Sequence, residues 1–203
     1  TFELPVGARH ALIGPDGAGE TTFINLLTGL LAPDSGTIEL DGKQVTDLPP
    51  QERVKRGLAR TYQINTLFPD LTPLEAVTLV ACERHGMSRQ WLPPLSKRKA
   101  LIEESYALLK ELGIADQAHR LTRHLAYGHQ RVLEIALALA THPHVLLLDE
   151  PAAGVPAQES GILYEVISAL PKDIAVLFIE HDMDLVFRFA SHITVLVSGR
   201  VLR

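Results

Sequence analysis
Apolar and polar positions along the 203 residues alternate between short buried runs and amphipathic stretches. Phe2 to Ile13 reads as a strand, a turn at Pro5-Val6-Gly7 and a buried strand ending in Ala11-Leu12-Ile13. Phe23-Ile24-Asn25-Leu26-Leu27 continues a helical pattern that closes at Gly29. Thr37-Ile38-Glu39-Leu40 alternates as an edge strand does, and Asp41-Gly42 supplies the turn after it. A short helix is predicted from Leu48 to Arg56, starting after Pro49-Pro50.

From about Ile64 the pattern turns helical. Pro73 to Cys82 fits a helix, and Trp91-Leu92-Pro93-Pro94 a linker. Ser96 to Leu112 places Leu101, Ile102, Ser105, Leu108, Leu109 and Leu112 on one face, with Gly113 ending it. A further helix runs from Val132 to Ala140. Strand character returns at Val145-Leu146-Leu147-Leu148-Asp149-Glu150 and again at Ile174 to Ile179, which leads into Glu180-His181-Asp182. A helix from Gln158 to Leu170 separates these two runs, and a short helix and the strand Ile193 to Val197 finish the chain. Continuous apolar strands alternating with helices predict an α/β fold, a mostly parallel sheet covered on both faces. Three parts are expected: a first piece of the core at 1–63, a helical subdomain at 64–142, and the second piece of the core at 143–203. The abrupt start at Thr1 and the stop just after a strand-like run read as a chain trimmed at both ends.

Composition narrows this picture. The hydrophobic fraction of 46% is ample for a core. A net charge of −5 implies no broad basic surface for nucleic acid. Cys82 is the only cysteine, so no internal disulfide forms, which suits a reducing compartment. No apolar run approaches the length of a membrane span. His119, His124 and His129 are spaced by five, which does not align them on one helix face as metal ligands require.

The candidate chemistry centres on Gly14-Pro15-Asp16-Gly17-Ala18-Gly19-Glu20-Thr21-Thr22, set between a buried strand and a helix. That layout is the phosphate-binding P-loop, G-x-x-x-x-G-K-[ST]. Gly14, Gly19 and Thr21 fit the pattern; position 20 is Glu where the motif has Lys. The glycines let backbone N–H groups approach phosphate oxygens, and the helix that follows presents the positive end of its dipole. Thr21 would offer its hydroxyl to Mg²⁺. One charge pair at ~4 Å is worth roughly 4 kcal/mol at an effective dielectric of about 20. Exchanging attraction for repulsion at position 20 therefore costs several kcal/mol of phosphate binding, and Asp16 adds a second negative charge. A plain glycine turn capping a helix is the alternative reading of this stretch alone.

Further candidates follow in chain order. Gln63 could position water or sense a metal. Asp149, at a strand end, could hold Mg²⁺ through water. Glu150 could act as general base, and His181 could donate to a γ-phosphate. Together with Leu125-Ala126-Tyr127-Gly128-His129-Gln130, these residues resemble the nucleotide-binding subunits of ATP-binding cassette (ABC) transporters, whose fold is a P-loop NTPase with a mostly parallel sheet, a small N-terminal antiparallel β part and an inserted α-helical subdomain. Leu125 to Gln130 is similar to that family's signature segment Leu-Ser-Gly-Gly-Gln, Val145 to Glu150 to its Walker B strand, and His181 to its switch histidine. Leu-Ala-Tyr-Gly, Glu-Pro-Ala-Ala-Gly and Ile-Glu-His-Asp-Met resemble the branched-chain amino acid importers most.

The resemblance implies ATP and Mg²⁺ as cofactors and ATP hydrolysis coupled to transport. It implies a head-to-tail dimer with a second nucleotide-binding subunit, identical or not. ATP would lie between residues 14–22 of one subunit and Leu125 to His129 of the other. Membrane permease subunits would dock on the helical subdomain and on Asn65 to Leu71, placing the chain peripherally at the cytoplasmic face of the plasma (inner) membrane. Thr21, Gln63 and Asp149 would serve the metal, and Glu150, His181 and Gln63 catalysis. Several residues depart from the family pattern: Glu20 for Lys, Asp16 for Asn, Ala126 for Ser, His129 for Gln, and Pro156 for Asp or Asn. Two alternatives stay open: a catalytically degenerate subunit that pairs with an intact partner, and a non-transport ABC ATPase.

Overall fold
The computed structural model describes residues 1–61, 67–87 and 98–202. They form two compact units: Thr1–Gln63 with Pro143–Pro151 and Pro171–Arg203, and Ile64–His142 with Ala152–Leu170. Gln63 and the Trp91-Leu92-Pro93-Pro94 linker lie outside the described residues.

The first unit is built on a six-stranded sheet. Its strands are β1 (Arg9–Ile13), β4 (Leu58–Arg60), β5 (Val145–Asp149), β6 (Ala175–Ile179), β7 (His192–Val197) and β8 (Arg200–Leu202), in the order β4-β5-β6-β1-β7-β8. All neighbours run parallel except β7 and β8. β6 is apolar throughout and β5 up to Asp149, because both faces of the sheet are covered there. Leu12, Leu147, Leu177 and Leu196 are buried in one core with Ala18, Ile24 and Ile179. Helix α1 (Glu20–Thr28) follows β1, and α7 (Met183–Phe189) follows β6.

A two-stranded antiparallel ribbon pairs β2 (Glu39–Leu40) with β3 (Lys43–Gln44). Asp41 and Gly42 between them both take positive φ, 50° and 69°, as a tight hairpin turn demands. Phe2 to Leu4 does not form the expected strand. Phe2 instead packs edge-on against Phe23 and His10. The β7–β8 hairpin was not expected; its turn is Ser198-Gly199, again at positive φ.

Helix α2 (Pro50–Lys55) carries Arg53, which is buried and serves as a cap for α1. Arg53 donates to the carbonyls of Leu26 and Leu27 at 2.7 Å each, to Thr46 at 2.7 Å and to Leu48 at 2.9 Å. The carbonyls at the end of α1, which have no partner within the helix, are thus satisfied by a guanidinium.

The second unit is helical. Helix α3 (Pro73–Arg84) starts with a capping box between Thr72 and Glu75 and with Pro at its first position. Helix α4 (Lys99–Glu111) buries Leu101, Ser105 and Leu109, and the Ser105 hydroxyl donates to the Leu101 carbonyl at 2.7 Å. Helix α5 (Tyr127–Leu139) buries Val132, Leu133, Ile135 and Ala136. Helix α6 (Ser160–Ala169) buries Leu163, Val166 and Ile167 and packs on α5. Residues 152–170, expected with 143–203, therefore belong with the helical unit, because the apolar face of α6 is covered by α5.

Candidate nucleotide site
The glycine loop bridges β1 and α1. Its tight form is closed by Ala18 N–H donating to the Pro15 carbonyl at 2.8 Å. At Gly14 a Cβ would stand 2.4 Å from the Leu196 carbonyl oxygen and 2.6 Å from Ala18 Cβ, so no side chain fits. Gly19 caps α1 at φ 105°, a left-handed conformation that favours glycine. Pro15, Asp16 and Gly17 are exposed, as are Thr21 and Thr22 in the first turn of α1.

Glu20, the first residue of α1, behaves differently. It is buried, and its Oε1 accepts no hydrogen bond among the described residues. That oxygen points toward Gly14, 3.1 Å from where a Cβ would be. Its other oxygen, Oε2, lies 3.7 Å from His181 Nε2. Burial pushes the Glu20 carboxyl above its ordinary value. His181 opposes that shift, while the carboxylates of Glu150, Asp149 and Asp16 reinforce it.

The other polar groups come from strand ends. Asp149 closes β5, is buried, and accepts a hydrogen bond through Oδ2 from Arg60 Nη2 at 2.7 Å. Glu150 follows at φ 45°, an uncommon conformation for a residue with a side chain. Its N–H donates to the Ile179 carbonyl at 3.1 Å, which holds that turn against β6. His181 lies just beyond β6, and Asp182 next to it caps α7 by accepting from the Asp184 N–H at 2.9 Å. His181 Nε2 is thereby placed 3.3 Å from Glu150 Oε1. Glu20, Asp149, Glu150 and His181 are thus brought together at the carboxyl ends of parallel strands, where open α/β sheets take ligands.

Leu125 to His129 belongs to the helical unit. Leu125 is buried, Ala126 is the N-cap of α5 without a side-chain cap, and the helix starts at Tyr127, earlier than the apolar pattern indicated. Gly128 N–H donates to Glu159 Oε2 at 2.7 Å. Arg131 donates to the Tyr127 hydroxyl at 2.8 Å and pairs with Glu134 at 2.8 Å. His129 is half-buried.

A family model described as ABC transporter matches residues 1–153. The chain belongs to the ABC transporter family. The high-affinity branched-chain amino acid transport ATP-binding protein BraF of Pseudomonas aeruginosa is 40% identical over 201 residues, 95% of this chain and 78% of that protein. LivG of Escherichia coli K12, with the same description, is 38% identical over 199 residues, again 95% and 78%. The ribose import ATP-binding protein RbsA of Bacillus licheniformis is 36% identical over 203 residues, all of this chain and 40% of that protein. Among solved structures, a nucleotide-free ATP-binding cassette from an ABC transporter superposes with a TM-score of 0.83 at 27% identity, covering 100% of this chain and 81% of that one. An ABC transporter cassette in its ADP conformation gives 0.82 at 27% identity, covering 99% and 81%.

The ABC cassette is an ATPase in which hydrolysis is coupled to transport, and the fold, a P-loop NTPase with a mostly parallel sheet and a short antiparallel pair, is the family's. Its donor set for Mg²⁺ fits: Thr21 and Asp149 offer the hard oxygens this ion prefers. Among the described residues no group of three or more His, Cys, Asp or Glu is arranged to hold a metal unaided. Glu20 places a buried carboxylate where the P-loop motif has a lysine. No helix among the described residues is long and apolar enough to cross a membrane. Arg60 and Glu159 carry no motif of their own, and nothing local in the sequence points to them; each finds its partner far along the chain.

Proposed function
We propose that this chain is the ATP-binding subunit of an importer for branched-chain or other hydrophobic amino acids, with nucleotide binding weakened by Glu20. The contact between Glu150 and His181 carries the reading: the general base and the histidine stand 3.3 Å apart beside the glycine loop. The backbone N–H groups of residues 14–22 would cradle the phosphates. Thr21 and Asp149, with Gln63, would hold Mg²⁺, which neutralises charge on the transferring phosphoryl group. Glu150 takes a proton from the attacking water, and His181 donates toward the phosphate. Leu125 to His129 would meet nucleotide bound by a second cassette, so that binding closes a dimer and hydrolysis reopens it. Phe68, 64% exposed, offers a permease an apolar anchor at the cytoplasmic face of the inner membrane.

Phosphate release by the chain assembled with its permease tests this. Turnover that rises in Glu20→Lys and disappears in Glu20→Lys/Glu150→Gln supports the reading. No turnover in Glu20→Lys contradicts it.

A second reading rests on the burial of Glu20. A buried carboxylate 3.7 Å from His181 occupies the position of the motif's lysine, as expected of a subunit that no longer turns over and lends Leu125 to His129 to an intact partner. Mixing the chain with a catalytically competent cassette separates the two, since the mixture would then hydrolyse ATP while the chain with Glu20→Lys alone would not.

A further inference from the structure
Arg60 is the last residue of β4, and its side chain is 8% exposed. Two nitrogens of its guanidinium are used in different directions. Nη1 donates to Asn25 Oδ1 at 2.7 Å, and Nη2 donates to Asp149 Oδ2 at 2.7 Å. Asn25 lies on α1, the helix that the glycine loop opens, and Asp149 lies at the end of β5. β4 and β5 are parallel neighbours with Arg60 opposite Leu147, so the side chain runs forward along β5 to reach the carboxylate. One oxygen of Asp149 is thereby fixed, in a buried setting, next to the carboxylates of Glu20 and Glu150.

We propose that Arg60 is a positioning residue of the nucleotide site: it sets the carboxylate of Asp149 for the divalent cation and locks that carboxylate to α1 through Asn25. The inference rests on the reading of Asp149 as a magnesium residue. A carboxylate held by one oxygen presents the other in a fixed direction, and partners that orient a metal-binding carboxylate typically change metal affinity 10–100-fold when removed. The planar guanidinium can serve two acceptors at once. A lysine ammonium is a point charge on a flexible stem and cannot span them in the same way. Arg60→Lys therefore keeps the charge and loses the bridge, which separates orientation from simple neutralisation.

The test is calorimetric titration of ADP, once with Mg²⁺ and once in EDTA. It is made on the chain and on its Glu20→Lys form, each with Arg60→Lys, Arg60→Met or Asn25→Ala. The quantity read is the gain in ADP affinity due to Mg²⁺. The expected result is a fall of about tenfold in that gain for both Arg60 variants. Asn25→Ala should fall in the same direction, while affinity in EDTA changes less than twofold. An unchanged gain in Arg60→Lys and Asn25→Ala overturns the proposal. So does a parallel loss of both affinities together with the melting temperature, which would mark Arg60 as a packing residue only. Should Arg60→Met fail to fold, the two milder variants still decide. If the Glu20→Lys parent shows no magnesium-dependent gain at all, the reading of Asp149 falls first and takes this inference with it.

Discussion

Glu20 and His181 face each other in the nucleotide site, the Oε2 of one 3.7 Å from the Nε2 of the other. A buried carboxylate whose Oε1 accepts no hydrogen bond among the described residues is costly to keep ionised. Its folded-state value is raised above the ordinary 4.5, so the folded protein holds the proton more tightly than the unfolded chain. The destabilisation is absent below the unfolded value and grows as pH rises through the folded one. Glu20→Gln should therefore stabilise the protein by about 1 kcal/mol at pH 7 to 8, at the lower end because solvent screens the open side of the site. That gain should vanish toward pH 4. Denaturant unfolding of both proteins across this range checks it.

His10 is a second, independent source of pH dependence. It is buried on β1, its Nε2 bonds to Thr194 Oγ1 at 2.7 Å, and its ring stacks on His192 at 6.0 Å with Phe2 edge-on. Burial, and next the neighbouring His192, lower its value from 6.5. Above pH 6.5 both folded and unfolded states carry a neutral ring. Below it the unfolded chain takes the proton first, so stability is lost as pH falls toward the folded value. The melting temperature should drop more steeply between pH 7 and 5.5 in the native chain than in His10→Gln.

The capping of α1 by Arg53 gives a stability prediction remote from the chemistry. Arg53→Lys keeps a charge but cannot serve the four carbonyls of Leu26, Leu27, Thr46 and Leu48. A loss of about 3 kcal/mol in unfolding free energy is expected. A loss below about 0.5 kcal/mol would show that water replaces the guanidinium without penalty.

In the helical unit, Glu159 Oε2 accepts the Gly128 N–H at the start of α5. Ala126, the N-cap, has no side chain able to do this. Glu159→Ala should therefore lower stability by about 1 kcal/mol, the worth of a lost cap. Hydrogen exchange at Gly128 should accelerate in the same variant.

Much of the site was legible because it is local. The glycine loop, β5 and β6 are short contiguous runs, and parallel strands buried on both faces read as unbroken apolar segments. The strand ends at Asp149 and before His181 followed from those runs. What could not be read depends on contacts between distant residues. Arg60 and Asp149 are 89 positions apart, and Gly128 and Glu159 are 31 apart, with no periodicity linking them. The start of α5 was obscured because Ala126 gives no capping signal. The expected strand at Phe2 failed because its apolar side chains pack on Phe23 and His10 without a strand partner.

On the function proposed, one charge at position 20 sets how this P-loop treats nucleotide. Calorimetric titration of MgATP into the native chain and into Glu20→Lys tests it most directly. Affinity should be at least tenfold higher in Glu20→Lys, by more than about 1.4 kcal/mol. Equal affinities would contradict it, and would mean that the loop's N–H groups and Mg²⁺ hold the phosphates whatever side chain stands at position 20.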